Sequence, residues 1–386
     1  MPYTSFEFSF PTRIVFGPGE SEKAADYAAS FNPGKILLMT SAHIRPVTGK
    51  LMADLAEKKI PFVHFDGCRP NPKEGEVNEA AEMARREGCD LILAVGGGSV
   101  IDAAKATALA AANPSEGGIW DYVGTGRPPE KKALPLMLVV TIASTGSEGN
   151  ESFVLTDEAG TQKLIYSDPS LRPVLSVCDP ELTVTLSARQ TALGAADILS
   201  HLLEQYLHAD PNRDASDEMT FALIRTVTKW APIAVAKPED RDARSNLLWC
   251  AILAMSRVLG VGHDENWLSH LIEHAVSAKY DIPHAAGMAA IFPAYLSFLE
   301  EKGVIPDKLA RLAQLWQAES AAEGLEKFEK QLGLPVRLQE SLGFTLTEEV
   351  IKELTAFALP WGPMDAGGLG LFGPDDAERV LRLAQR

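Results

Sequence analysis

The sequence has little with which to build a disulfide, a membrane anchor or a nucleic-acid surface. Its 386 residues hold four cysteines, Cys68, Cys89, Cys178 and Cys250, far apart and with no CxxC pair, which argues against a thiolate zinc site or a dithiol redox motif. They read as reduced core residues of a cytoplasmic protein. Positive charge is also short. The 36 Lys and Arg stand against 52 Asp and Glu, a formal charge of −16, so nucleic acid and anionic membrane are repelled at long range. Long apolar runs are missing: ALPLMLVVTIA from Ala133 falls short of the roughly 18 residues read as a spanning helix. The opening MPYTSFEFSF lacks the basic region and apolar stretch of a signal peptide. No internal repeat or low-complexity segment stands out.

What is present is globular text, 46% hydrophobic and 23% charged, long enough for two domains. Up to about residue 187 short apolar runs alternate with amphipathic stretches, which predicts an α/β domain. The candidate strands are KILLMT (35–40), PFVHF (61–65), DLILAV (90–95), PLMLVVT (135–141) and VLSVC (174–178). Several are too continuously apolar for a one-sided sheet and suit a parallel sheet covered on both faces. Residues 48–58 and 76–87 have helical spacing and crossover length. FEFSF followed by RIVFG alternates in steps of two and predicts a hairpin at a sheet edge, an edge that could pair with a second copy in a homodimer. From Ser187, which with Gln190 resembles a capping box, the pattern is helical nearly to the end, with breaks at Pro211, Pro232, Pro238, 260–262, Pro283 and 367–374. The boundary therefore divides 1–187, an α/β dinucleotide-binding domain, from 188–386, an all-helical domain.

Two polar segments follow buried strands. In LILAVGGGSVIDAAK, Gly96, Gly97, Gly98 and Ser99 lie between strand and helix, where free N–H groups and the helix dipole suit a pyrophosphate, although GxGxxG is absent. Ser99 and Asp102 also have capping-box spacing, the plainer reading of both. Lys105 is either a solvated helix lysine or a phosphate neighbour. TIASTGSEGNES, from Thr141, ends another strand where doubly wound sheets bind ligands; its plainer reading is an ordinary polar loop.

A third feature lies in the helical half. Asp197 and His201, four apart, project from one helix face about 6 Å apart along the axis. In WLSHLIEHAVSAKYDIPHAAG three of the chain's eight histidines, His270, His274 and His284, fall on an apolar background. On one unbroken helix His270 and His284 would stand about 21 Å apart, but Pro283 ends the helix and lets the chain return. Three imidazoles and one carboxylate suit Fe(II), Zn(II), Co(II) or Ni(II) over Mg(II) or Ca(II). Spacing does not choose between His270 and His274 as ligand. His208 and His263 are spare candidates of more ordinary kind.

These segments resemble the iron-containing alcohol dehydrogenase family, nearest its butanol dehydrogenase and broad-range aldehyde reductase branch. The resemblance runs the length of the chain through PTRIVFGPG, PNP at 70–72, VGGGSVIDAAK, STGSEGN, DPELT, DILSHLLEQY and WLSHLIEHAVSAKYDIPHAAGMA. It implies a Rossmann-like N-terminal domain, an all-α C-terminal domain, a dehydroquinate synthase-like architecture and an active site in the cleft. Carried across, Asp197, His201, His270 and His284 fall on the family's metal ligands, and His274 on a catalytic histidine beside the nicotinamide. Gly97, Gly98, Ser99 and Asp102 fall on the pyrophosphate turn, and Asn71, Thr141, Thr145, Lys163 and Leu182 on other cofactor contacts. Ser41 departs from the pattern, standing where the family often has an aspartate. A carboxylate there would bind a ribose 2′-OH and repel a 2′-phosphate, so its absence, with Arg45 nearby, favours NADP(H) over NAD(H). The implied chemistry is hydride transfer between nicotinamide and a small alcohol or aldehyde such as butanol or butanal, with Fe(II) or Zn(II) as Lewis acid and His274 relaying the proton. Trp267 and Phe153 are candidate apolar lining. The alternatives are a dehydroquinate-synthase-like lyase, for which the metal helices offer no basic cluster beyond Lys279, and a non-catalytic nucleotide- or metal-binding protein.

Overall fold

A computed structural model of the chain describes residues 5–42, 46–160, 162–211, 213–262, 267–360, 362–365 and 367–385. Arg45 and His263 lie outside these. Two compact units divide it, Ser9–Thr185 and Leu186–Arg386, the latter grouped with Met1–Phe8.

The first unit is built on a six-stranded sheet. Its strands are β1 (Arg13–Phe16), β2 (Ile36–Ser41), β3 (Phe62–Cys68), β4 (Leu91–Gly96) and β5 (Leu136–Val140), then, after the pair β6 (Ser152–Thr156) and β7 (Lys163–Ser167), β8 (Leu175–Cys178). The sheet order is β1-β8-β5-β4-β2-β3 and every pairing in it is parallel. Every residue of β4 and β5 is buried, which explains why their text is apolar without alternation. Helices α1 (Ala24–Ala29), α2 (Pro46–Glu57), α3 (Glu74–Glu87), α4 (Gly98–Ala112) and the single turn α5 (Trp120–Val123) make the crossovers. On one face Ile36, Leu38, Leu91, Leu93 and Val95 pack with Leu51 and Leu55 of α2. From β2 the chain steps outward to β3, and from β4 it steps the other way to β5. The carboxyl ends of β2 and β4 therefore flank a topological switch point, the place where such sheets bind ligands.

The expected N-terminal hairpin does not form. Pro11, which has no N–H to donate, interrupts the alternating stretch; residues 5–12 form no strand, and β1 lies parallel to β8 at the sheet edge. Sequence reading also passed over β6 and β7, an antiparallel pair outside the main sheet. Each alternates, SFVLT and KLIYS, around a turn at 157–160, which was the available signal.

The second unit is helical: α6 (Ala188–Tyr206), α7 (Asp214–Ala236), α8 (Arg241–Ala254), α9 (Leu268–Tyr280), α10 (His284–Lys302) and further helices up to Leu383, with a two-residue strand pair at Met364–Asp365 and Leu371–Phe372. Pro232, expected to break a helix, lies inside α7. It removes one N–H near the helix end, where fully buried Ala231 and Ala234 hold the last turn in place. No helix among the described residues is long and apolar enough to cross a membrane.

Candidate metal centre and cofactor turn

Helix α6 begins as its sequence predicts. Ser187 Oγ accepts the Gln190 N–H at 3.1 Å and Gln190 Oε1 accepts the Ser187 N–H at 3.2 Å, a reciprocal cap. The helix then runs through the interior, so Asp197 and His201 are 1% and 5% exposed. A charged carboxylate this deep needs compensation.

Imidazoles from its own helix and from two others gather round it. Helix α9 carries His270 and ends at Tyr280; Asp281 takes a left-handed conformation at φ 50°, and α10 opens on His284 directly after Pro283. The reversal brings His284 Nε2 to 3.6 Å from Asp197 Oδ1, while His201 Nε2 stands 3.9 Å from the same oxygen. The His270 ring stacks 5.0 Å from that of His201 and lies 5.4 Å from that of His284. One ligand atom from each of Asp197, His201, His270 and His284 lies within 4.8 Å of all the others. Donors so spaced can close around one cation at bond lengths of about 2.0–2.2 Å. Burial lowers the His201 imidazole to about 3 although Asp197 pulls it up, so the ring is neutral, as a ligand must be.

Around this set, His274 sits one turn beyond His270, its ring 6.3 Å from His270 and 5.4 Å from His284. The Trp267 ring meets His270 edge-on at 5.1 Å and His201 at 6.1 Å. Phe153, the other candidate for lining, is instead core of the β6–β7 pair, 1% exposed with its ring 5.6 Å from that of Tyr166. His208 is structural, its Nε2 2.8 Å from Asp217 and its Nδ1 accepting the Asp210 N–H. Sequence reasoning missed two buried acids. Glu204 Oε1 is 3.1 Å from His270 Nδ1, and Glu273 Oε2 hydrogen-bonds His284 Nδ1. Burial pushes Glu204 up to about 8 against the hydrogen bonds from Ser269 and His270; a nearby dication would draw it down. Their signal was position: Glu204 lies three residues after His201, and Glu273 three after His270.

In the α/β unit the turn after β4 is shaped by contact. A Cβ on Gly96 would stand 2.5 Å from Val100, one on Gly97 2.9 Å from Ile142, and one on Gly98 2.4 Å from Thr145, so the glycines are where side chains do not fit. Thr141 donates its N–H to Gly96 O at 3.0 Å, and Ser41 ends β2 beside this turn. Lys163 Nζ reaches Asn71 Oδ1 at 3.2 Å, while Leu182 packs against the sheet core. The capping box expected of Ser99 and Asp102 is absent: α4 starts at Gly98 with Gly97 as its cap and no side-chain cap, which puts Ser99 within the first turn. Asp102 turns inward instead, its oxygens accepting Ser147 Oγ at 2.8 Å and the Val154 N–H at 3.2 Å. Lys105 is fully buried and donates to Ser147 Oγ, Asn150 Oδ1 and Ser152 O at 2.7–2.8 Å; burial lowers it to about 7 against the pull of Asp102 and Glu148. It is neither a solvated lysine nor free to meet a phosphate. With Asp102 it ties residues 147–154 to α4.

A glycine-rich strand-to-helix turn in one unit and a four-donor cluster in the other fit the class of enzymes that work with a nucleotide and a divalent metal. The chain belongs to the iron-containing alcohol dehydrogenase family, matching "Iron-containing alcohol dehydrogenase" over residues 11–180 and "Fe-containing alcohol dehydrogenase family, C-terminal" over residues 191–384. It is 32% identical to NADH-dependent butanol dehydrogenase B of Clostridium acetobutylicum, with 99% of each chain covered. With NADPH-dependent aldehyde reductase YqhD of Escherichia coli the identity is 30%, over 87% of this chain and 89% of the other. Among solved structures, NADH-dependent butanol dehydrogenase A of Thermotoga maritima superposes with a TM-score of 0.89 at 33% identity, covering 100% of this chain and 99% of that one.

Proposed function

We propose that the chain is an alcohol dehydrogenase/aldehyde reductase in which Asp197, His201, His270 and His284 hold one divalent cation, Fe(II) or Zn(II), and that its substrates are small primary alcohols and aldehydes such as butanol and butanal. The observation that carries this is the convergence of those four side chains from three helices within 4.8 Å. A cation bound there would supply a Lewis acid for the substrate oxygen, and a bound nicotinamide the hydride or its acceptor. Residues 188–386 supply the metal site, and residues 1–187 are the dinucleotide-binding domain. Within the α/β part, Gly97, Gly98 and Ser99 offer backbone N–H groups to a pyrophosphate at the start of α4. Thr141, Thr145, Asn71, Lys163, Leu182 and Ser41 border the same sheet end or the loops beside it, and Asp102 supports the turn from within. His274, next to two ligand imidazoles, is placed to hold and pass the proton that leaves or joins the substrate oxygen. Trp267 forms an apolar wall beside His201 and His270.

Ser41 at the end of β2 leaves no carboxylate to repel a 2′-phosphate, which supports NADP(H) over NAD(H). The named relatives include users of each. The edge strand β1, paired on one side only among the described residues, supports a homodimer. A lyase acting on a phosphorylated acid is disfavoured because Lys279 is already ion-paired with Glu353 at 2.6 Å. Protein loaded with Fe(II) or Zn(II) should oxidise NADPH when given butanal, with kcat/KM higher for NADPH than for NADH. Absence of butanal-dependent oxidation of either cofactor overturns the activity; a clear NADH preference overturns only the cofactor assignment.

A further inference from the structure

We infer that Glu204 and Glu273 are positioning residues of the metal centre, each holding one imidazole, His270 and His284 respectively, with its Nε2 turned to the cation. This rests on the metal reading of the four-residue cluster. An imidazole binds a metal through one neutral nitrogen, and its other nitrogen carries a proton that needs an acceptor when buried. Here each acceptor is a carboxylate on a different helix. Glu204 of α6 takes Nδ1 of His270 on α9 at 3.1 Å, and Glu273 of α9 takes Nδ1 of His284 on α10. The three helices that supply the ligands are thus linked in sequence, each acid sitting three residues after a ligand of its own helix.

Neither acid is an incidental helix residue. Both are fully buried, a placement unfavourable for a carboxylate without strong partners. Glu204 is itself fixed by Ser269 Oγ and by the His270 N–H at 3.2 Å. Space for Glu273 is provided by Gly287 in the first turn of α10. A Cβ there would stand 2.5 Å from Glu273 Oε1 and 2.8 Å from its Cγ. Glycine is a poorer helix former than alanine, and Gly287 is not in the left-handed region; close approach of the acid is the physical reason for it. Glu273, His274 and His284 could be read as a second cation site. The direct hydrogen bond between Glu273 and His284 Nδ1 leaves no room for an ion between them, which favours the positioning role.

The test uses metal-free full-length protein titrated with Co(II) against a competing chelator, with the visible absorption of bound Co(II) recorded. Wild type, E204Q, E204D, E273Q and G287A are compared, and melting of the metal-free forms reports folding separately. Wild type should take one equivalent. E204Q and E273Q should bind the same equivalent about 10–100-fold more weakly with an altered Co(II) spectrum, while their metal-free melting stays near wild type. G287A, which keeps both acids and displaces Glu273, should shift affinity and spectrum in the same direction and decides for Glu273 if E273Q does not fold, while E204D, which keeps the charge but withdraws it from His270 Nδ1, does so for Glu204. Wild-type affinity and spectrum in the folded variants overturn the positioning role and leave the metal reading intact. Uptake of a second equivalent that E273Q alone loses overturns it in favour of a second site. Failure of wild type to bind any Co(II) overturns the metal reading itself.

Discussion

The two polar centres of this chain are built from different materials. In the helical unit the centre consists of side chains: Asp197, His201, His270 and His284 arrive from three helices, the first three buried and His284 partly exposed. In the α/β unit the candidate centre consists of backbone: Gly96, Gly97 and Gly98 stand where a Cβ would meet Val100, Ile142 and Thr145, while the charged residues nearby, Asp102 and Lys105, turn inward to hold the adjoining segment. A side-chain centre is specific because each residue type is costly to bury without its partner. A backbone centre is specific through shape, since any added Cβ meets a neighbour.

Mutations should separate the two. The largest effect is expected within the helical unit, where His270 and His274 share a helix face and are proposed to differ in role. H270A should lose the bound metal and, with it, activity by about 10³-fold or more, the several kcal/mol a catalytic cation supplies. H274A should keep one equivalent of metal and lose about 10²-fold in kcat, as for a missing proton relay. Metal analysis beside kinetics reads both, and equal metal loss in the two variants would erase the distinction. A smaller effect is expected in the α/β unit. G98A drives a methyl to 2.4 Å from Thr145, an overpacking of about 1–3 kcal/mol. Its signature should be nicotinamide binding weakened about tenfold in a fluorescence titration with metal content unchanged; unchanged cofactor affinity would show that this turn does not hold the cofactor.

The same contrast explains what was legible in the sequence. Histidines at 270, 274 and 284 on an apolar background stand out by residue type, and Pro283 marks the break between their helices, although the turn itself is made at the left-handed Asp281. Strands β2, β4, β5 and β8 were legible because a sheet covered on both faces writes itself as unbroken apolar runs. Spacing left His270 and His274 undistinguished, since residues four apart on a helix share a face, and the family resemblance supplied the choice. Glu204 and Glu273 were invisible because a helix glutamate ordinarily marks the solvated face, and only the packing of three helices shows them buried. Asp102 and Ser99 misled for a related reason: capping spacing is a local pattern, and the actual partners of Asp102, Ser147 and Val154, lie 45 and 52 residues away, before and within β6. The N-terminal alternation misled through Pro11, whose missing donor outweighs the pattern of its neighbours.

The most direct test of the central claim is an anomalous difference map from crystals of protein loaded with Fe(II) or Zn(II), measured at the metal's absorption edge. One strong peak within about 2.0–2.3 Å of Asp197, His201, His270 and His284 is the expected result. A peak at other side chains, or none at these four in metal-replete crystals, would contradict it.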